Sequence, residues 1–235
     1  MLFLDLTLPT LEENLALDEA LLLEAEEEGG EWLRTWEFPR PAVVLGAAGK
    51  ITEAVVEETC IAHGVPIGRR SSGGGTVLLG SGCLLYTLVL SYERAPELAQ
   101  IPPSYRYILG RIRDALQHPE LELAGISDLA LNGRKVSGNA QQRKRDHLLH
   151  HGSLLYGFDA SLADRYLRLP ARQPEYRGGR PNSEFLDNLP SSSIELMRTL
   201  QQCWVADNTI RTWPENSVQD LVEKKFGQEE WIRRR

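Results

Sequence analysis

Two arginines, two serines and three glycines in succession, Arg69-Arg70-Ser71-Ser72-Gly73-Gly74-Gly75, separate two stretches that read as strands. Glycine has the most backbone freedom to lose on folding and no side chain to pack, so three together mark a sharp bend or a close approach of main chain to a ligand. An arginine beside such a turn can hold an anion, and uncovered backbone N–H groups can do the same. A second group lies in "NGRKVSGNAQQRKRDHLLHHGSLL", residues 132–155, where Lys135 follows an Asn132-Gly133 hairpin signal and opens a strand. Residues 134–145 hold five basic side chains and no acid. A lysine ammonium is a compact charge with donors in several directions, suited to a carboxylate or phosphate whose charge changes during reaction. A third group is "RQPEYRGGRPNSEFLDNL", residues 172–189; from 165 to 180 there are five arginines against one acid, Glu175, and the Gly178-Gly179 pair makes a hinge. That is the profile of a lid over an anionic ligand. A solvated basic face and a plain mobile loop account for such runs equally well.

These groups need elements to position them. The capping box Thr10–Glu13 starts a helix over residues 11–28, with Leu11, Leu15, Leu22 and Ala25 inward, a solvated acidic end and a stop at Gly29-Gly30. "WLRTWEF" and "PAVVLG" read as strands, "ITEAVVEETCIAHGV" as a helix through Val55, Val56 and Ile61, and "YRYILGRIRDALQHP" as a helix with Ile108, Ile112 and Leu116 inward. Two strands joined at "NGRK" follow, then helices near 191–204 and 217–226. The expected fold is α+β, a mixed or antiparallel β-sheet packed with helices, in one domain over residues 1–235.

Composition narrows the function. With 235 residues and an apolar share of 42%, the chain can bury a sizeable core. A net charge of −7 argues against general nucleic-acid binding, and few aromatics flank the basic clusters to stack bases. Cys60, Cys83 and Cys203 are dispersed and odd in number, which indicates neither disulfides nor zinc and fits a reducing cytoplasm. "MLFLDLTLP" lacks the pattern of a signal peptide, and residues 76–90 are too short and too interrupted to span a bilayer.

The strings "RRSSGGGTV", "SDLALNGRKVSGNAQ", "HHGSLL" and "FLDNL" stand in the order and at about the spacing of the lipoate-protein ligase and octanoyltransferase family, which is related to biotin-protein ligases. "NLALDEALL" and "PAVVLG" resemble the family too, so the likeness covers most of the chain. It implies a biotin/lipoate ligase-like catalytic domain, here without a separate C-terminal accessory domain. It implies lipoate or octanoate in an apolar tunnel, activated with ATP and Mg2+ to an acyl adenylate. The acyl group then passes to a lysine of a lipoyl domain, in a 2-oxoacid dehydrogenase or the glycine cleavage H protein, with or without an accessory subunit. No nucleic-acid or membrane partner and no metal-ligating residue is implied.

Carried over by position, Lys135 would be catalytic, contacting the acyl carbonyl and the α-phosphate. Arg70, Ser72, Gly73, Gly74 and Gly75 would line the acyl and phosphate region, Ser137 and Gly138 would shape the lysine's strand, and His151 and Gly152 would wall the acyl pocket. Asp128, Arg180 and Asn188 match positions near the nucleotide. For His150 and His151 a hydrogen-bonded core pair at a strand start is an equal reading. The chain departs from the family at Leu79 and Gly80, where many relatives carry histidine and aspartate, and at Ser127, where many ligases carry asparagine. The alternative within the same fold is an octanoyltransferase that takes octanoyl from acyl carrier protein through a cysteine thioester. Cys83 lies nearest the motifs, but in an apolar strand where burial makes a thiol inert.

Overall fold

A computed structural model describes residues 1–235. In chain order the elements are β1 (Leu2–Asp5), α1 (Leu11–Glu28), β2 (Trp32–Trp36), β3 (Ala42–Leu45), α2 (Ile51–Ala54), α3 (Glu57–Ala62), β4 (Ile67–Arg69), β5 (Val77–Leu79), β6 (Cys83–Ser91), α4 (Ile101–Leu116), β7 (Leu121–Ala124), β8 (Asp128–Leu131), β9 (Arg134–Arg143), β10 (His147–Leu155), α5 (Ala160–Tyr166), α6 (Asn182–Phe185), α7 (Ser193–Trp204), β11 (Asn208–Thr209), α8 (Glu215–Leu221) and α9 (Glu229–Ile232). A π-helical turn, Val222–Phe226, joins the last two helices. No helix is long and apolar enough to cross a membrane.

Eight strands form a mixed sheet in the order β11-β1-β2-β6-β10-β9-β8-β7, parallel at β11-β1-β2 and antiparallel from β2 onward. A three-stranded sheet, β4-β3-β5, stands apart from it. Strand β6 is buried on both faces, and its alternation divides the core. Leu85 and Val89 join α1 and the small sheet, while Leu84, Leu88 and Leu90 join α4 and α7 on the opposite side. A strand covered on both faces reads as a continuous apolar run, as "CLLYTLVL" does.

The capping box at Thr10 forms as its sequence predicts, and Leu11, Leu15, Leu22 and Ala25 are buried. The acidic end of α1 is not simply a solvated face, because the Glu26 carboxylate accepts the N–H groups of Arg145, Asp146 and His147 and caps the β9–β10 turn. The single helix expected across residues 51–65 is two short ones, broken where Val55 leaves the helix and forms an antiparallel bridge with Leu167. β-Branched residues resist the helix, and a buried backbone bridge supplies the alternative. Consequently Cys60 faces the core and Ile61 is exposed. The hairpin at Asn132-Gly133 forms with both residues at positive φ, the geometry that turn needs.

Candidate active site

The small sheet and α1 face the large sheet across a cavity of about 180 Å³. Leu15, Trp36, Val44, Val77, Leu79 and Leu85 make its apolar wall, and Lys135, Asp128, Asn139, Arg70 and His151 contribute polar groups. An elongated aliphatic acid matches that lining, with its chain among the leucines and valines and its carboxylate toward the cations.

Lys135 reaches the cavity because of a bulge. Asp128 pairs with Gly138 and Leu129 with Ser137, but Ala130 pairs with Lys135, so Val136 is the extra residue. A bulge re-aims the side chains beyond it. Here Lys135 turns to the face carrying Asp128 and Gly138, and its Nζ sits 2.9 Å from Asp128 Oδ1. A Cβ on Gly138 would lie 2.6 Å from that nitrogen, so the glycine is the space the ammonium occupies. The other oxygen of Asp128 accepts the Tyr176 hydroxyl at 2.7 Å, which ties the 172–181 loop to the lysine's partner.

Arg70 organises the glycine turn rather than standing free. Its guanidinium is buried and donates to the carbonyls of Gly73 (2.6 Å) and Gly75 (2.8 Å), to Val44 (3.3 Å) and to Ser72 Oγ (2.9 Å). Burial pulls it down to about 10. With the carbonyls of the turn held on the arginine, the N–H groups of Gly73, Gly74 and Gly75 have no acceptor within the protein. Gly74 takes φ +85°, where a side chain would be strained, and its carbonyl fills the place of a Cβ on Gly46, only 2.1 Å away. Gly74 and Gly75 line the cavity directly.

Beneath the turn runs a hydrogen-bonded chain. Ser72 Oγ is 2.5 Å from His151 Nε2, and His151 Nδ1 is 3.0 Å from Asp18 Oδ2. Asp18 also accepts from Arg34 Nη1 (2.7 Å) and Thr87 Oγ1 (2.8 Å). A carboxylate only accepts, so Nδ1 carries the hydrogen, and in the neutral ring Nε2 takes the Ser72 O–H. Burial alone would raise the Asp18 carboxyl, but the bonds from His151 and Thr87 and the Arg34 charge outweigh it and hold it below its ordinary value. Ser72 is itself buried and supports the turn from below. His150 is the core histidine of the pair; it is enclosed beside Tyr86, Tyr105 and Gln141, and burial drives it down to about 3.

Asn139 is a pocket residue that sequence reasoning did not name. Tyr86 donates to its Oδ1 (2.5 Å), while its Nδ2 donates to the Ser127 carbonyl (2.8 Å) and Ser137 Oγ (3.1 Å). A Cβ on Gly152 would be 1.8 Å from that Oδ1, so this glycine admits the amide. Ser137 is fully buried and acts through Asn139 instead of lining the cavity. Asp18 was also missed. Its place inside "NLALDEALL" was the available signal, since an acid among leucines on a buried helix face demands a partner.

Two expected nucleotide residues stand away from the cavity lining. Arg180 donates to the carbonyls of Gly133, Tyr176 and Arg177, and Asn188 exchanges bonds with the backbone of Phe158. Both spend their polar groups on main chain, as the ordering of a loop requires. The 172–189 segment is accordingly packed, with the Arg177 and Arg180 guanidiniums over the Phe185 ring. No cysteine lines the cavity; Cys83 is buried, and burial pushes its thiol up to about 12.

The model for the lipoyl protein ligase A/B catalytic domain matches residues 10–193. Octanoyltransferase LipM of Carboxydothermus hydrogenoformans is 32% identical over 184 residues, covering 70% of this chain and 68% of the relative. In structure, the chain superposes on a bi-partite lipoate protein ligase from Thermoplasma acidophilum with a TM-score of 0.83 at 22% identity, over 98% of this chain and 95% of the other. A lipoate-protein ligase A bound with ATP gives 0.81 at 22% identity, over 99% and 98%. At such identities the superpositions speak for the fold, while the sequence match covers most of the chain and the site just described. The chain therefore belongs to the lipoyl protein ligase A/B catalytic family, enzymes that handle lipoyl or octanoyl groups as ligases or octanoyltransferases.

Proposed function

We propose that this chain activates octanoate or lipoate with ATP to an acyl adenylate and passes the acyl group to a lysine of a lipoyl domain. The observation that carries this reading is the polar end of the cavity: a lysine ammonium and a glycine turn with uncovered N–H groups line the same space, with no thiol among the lining residues. A carboxylate oxygen attacks the α-phosphorus and pyrophosphate leaves. The acceptor amine then attacks the acyl carbon, AMP leaves and the nitrogen gives up its proton. Both steps gather negative charge next to Lys135, and an ammonium already held by Asp128 favours that charge without having to be reorganised. The three uncovered N–H groups of residues 73–75 suit the oxygens of the acyl carboxylate and of the phosphate it is joined to for the same reason.

No cluster of three acidic, histidine or cysteine side chains is present to cage a metal. Magnesium is commonly bound through one or two carboxylates together with substrate phosphates and water, so the ion would arrive on the triphosphate.

Octanoyl transfer from acyl carrier protein is the second reading, favoured by the name of the 32%-identical relative. The two are separated by donor. Purified protein is given a lipoyl domain with synthetic octanoyl-AMP, with octanoate plus ATP and magnesium, or with octanoyl-acyl carrier protein. The proposal expects modification from octanoyl-AMP, a loss of roughly 10²- to 10³-fold in Lys135→Ala, and unchanged activity in Cys83→Ser. Modification from octanoyl-acyl carrier protein alone, abolished by Cys83→Ser, would overturn it.

A further inference from the structure

Residues beyond 193 lie outside the family match, yet one segment of them is packed on the back of the glycine turn. Lys225, in the π-helical turn, places its ammonium 2.6 Å from Glu19 Oε2 and 2.8 Å from Ser71 Oγ. The same ammonium lies over the Trp231 ring. Trp231 Nε1 donates to the Arg69 carbonyl at 2.9 Å, and the Arg69 guanidinium donates back to the Ile232 carbonyl at 2.9 and 2.7 Å. Arg69 therefore holds this strap and leaves the site to its neighbour.

Helix α1 sends two successive carboxylates to two successive serines. Asp18 reaches Ser72 through His151, and the Ser71 hydroxyl donates directly to Glu19. The Asp18 charge is balanced by Arg34, inside the matched region. Glu19 is buried and its one ion-pair partner is Lys225, far along the chain. Without that ammonium a carboxylate would stand uncompensated next to a turn that must accept anions.

We propose that Lys225 is a positioning residue for the anion-binding turn: it neutralises Glu19, fixes Ser71 and so keeps residues 70–75 set to receive the acyl carboxylate. The inference rests on the proposed free acyl-acid substrate but not on ATP, so octanoate binding tests it whether or not the chain makes the adenylate itself. Dissociation constants for octanoate, and separately for ATP, are measured by calorimetry on the full chain, with thermal melting alongside. Lys225→Met keeps the apolar stem over Trp231 and is expected to weaken octanoate binding about tenfold or more. Lys225→Arg and the double variant Lys225→Met/Glu19→Gln are expected to restore it to within about threefold of the parent. A merely structural lysine predicts lowered melting temperature with unchanged affinity, and no recovery of affinity in the double variant; either result overturns the proposal. Failure of the parent to bind ATP would instead count against the ligase reading and leave the octanoate comparison intact.

Discussion

Replacing Gly138 with alanine moves the Lys135 ammonium without removing it, so it measures what the position of that charge is worth. The new Cβ would lie 2.6 Å from Lys135 Nζ and 2.7 Å from its Cε, whereas unstrained contacts between such atoms begin near ~3.5 Å. The side chain must therefore shift by about 1 Å. It can do so cheaply, because it is long, flexible and 24% exposed. Nothing on the main chain is hit, and alanine has less backbone freedom to lose in a strand than glycine. Stability is expected to change by less than about 1 kcal/mol. Activity is a different matter, since a displacement of about 1 Å from reactive geometry can cost ~10²-fold. Initial rates of octanoyl transfer from octanoyl-AMP to a lipoyl domain, with melting curves for each variant, supply the test. If Gly138→Ala acts through the lysine, then Lys135→Ala/Gly138→Ala is no slower than Lys135→Ala alone. Additive losses in that double-mutant cycle, or a fully active Gly138→Ala beside an impaired Lys135→Ala, would refute the assigned geometry.

The other expectations concern the supports of the site. Gly46→Ala puts a Cβ 2.1 Å from the Gly74 carbonyl, a clash with backbone that cannot swing away, so both octanoate affinity and melting temperature are expected to fall. Gly152→Ala evicts the Asn139 amide, whose oxygen would be at 1.8 Å; weakened octanoate binding is expected, by more than in Asn139→Ser, which leaves Tyr86 in place, and calorimetry on the two variants checks it. His150 is neutral when folded, being held down to about 3 by burial, while the unfolded chain takes up that proton near pH 6.5. Below that pH the unfolded state binds more protons, so stability falls by roughly one kcal/mol per pH unit until the folded value is passed. Denaturant titrations between pH 7 and 4 should show a shallower acid limb in His150→Gln.

Local signals were legible where the chain satisfies itself locally. The Thr10–Glu13 capping box, the Asn132-Gly133 turn and the apolar spacing of Ile108 and Ile112 each depend on neighbours within a few residues, and each forms as expected. The break at Val55 was not legible, because the partner of its backbone is Leu167, over a hundred positions away. Arg70 and Arg69 could not be told apart by type or spacing. Arg70 is enclosed by the carbonyls of the glycine turn, and Arg69 by those of Gly46, Ala47, Gly49 and the C-terminal Ile232, and only packing assigns these. For Arg180 and Asn188, resemblance pointed to a nucleotide, whereas the packed loop gives their polar groups to main chain.

By itself the sequence determined which chemical groups are present, the α+β pattern, the turns that expose glycine N–H groups and the family to which the motifs belong. Tertiary structure decided where those groups meet. The bulge at Val136 turns Lys135 toward Asp128, helix α1 carries Asp18 and Glu19 beneath the serines of the turn, and Cys83 is sealed in the core. The reason is physical: a buried charge is tolerable only beside its partner, and in this chain those partners lie in distant segments that long-range strand pairing and packing bring together.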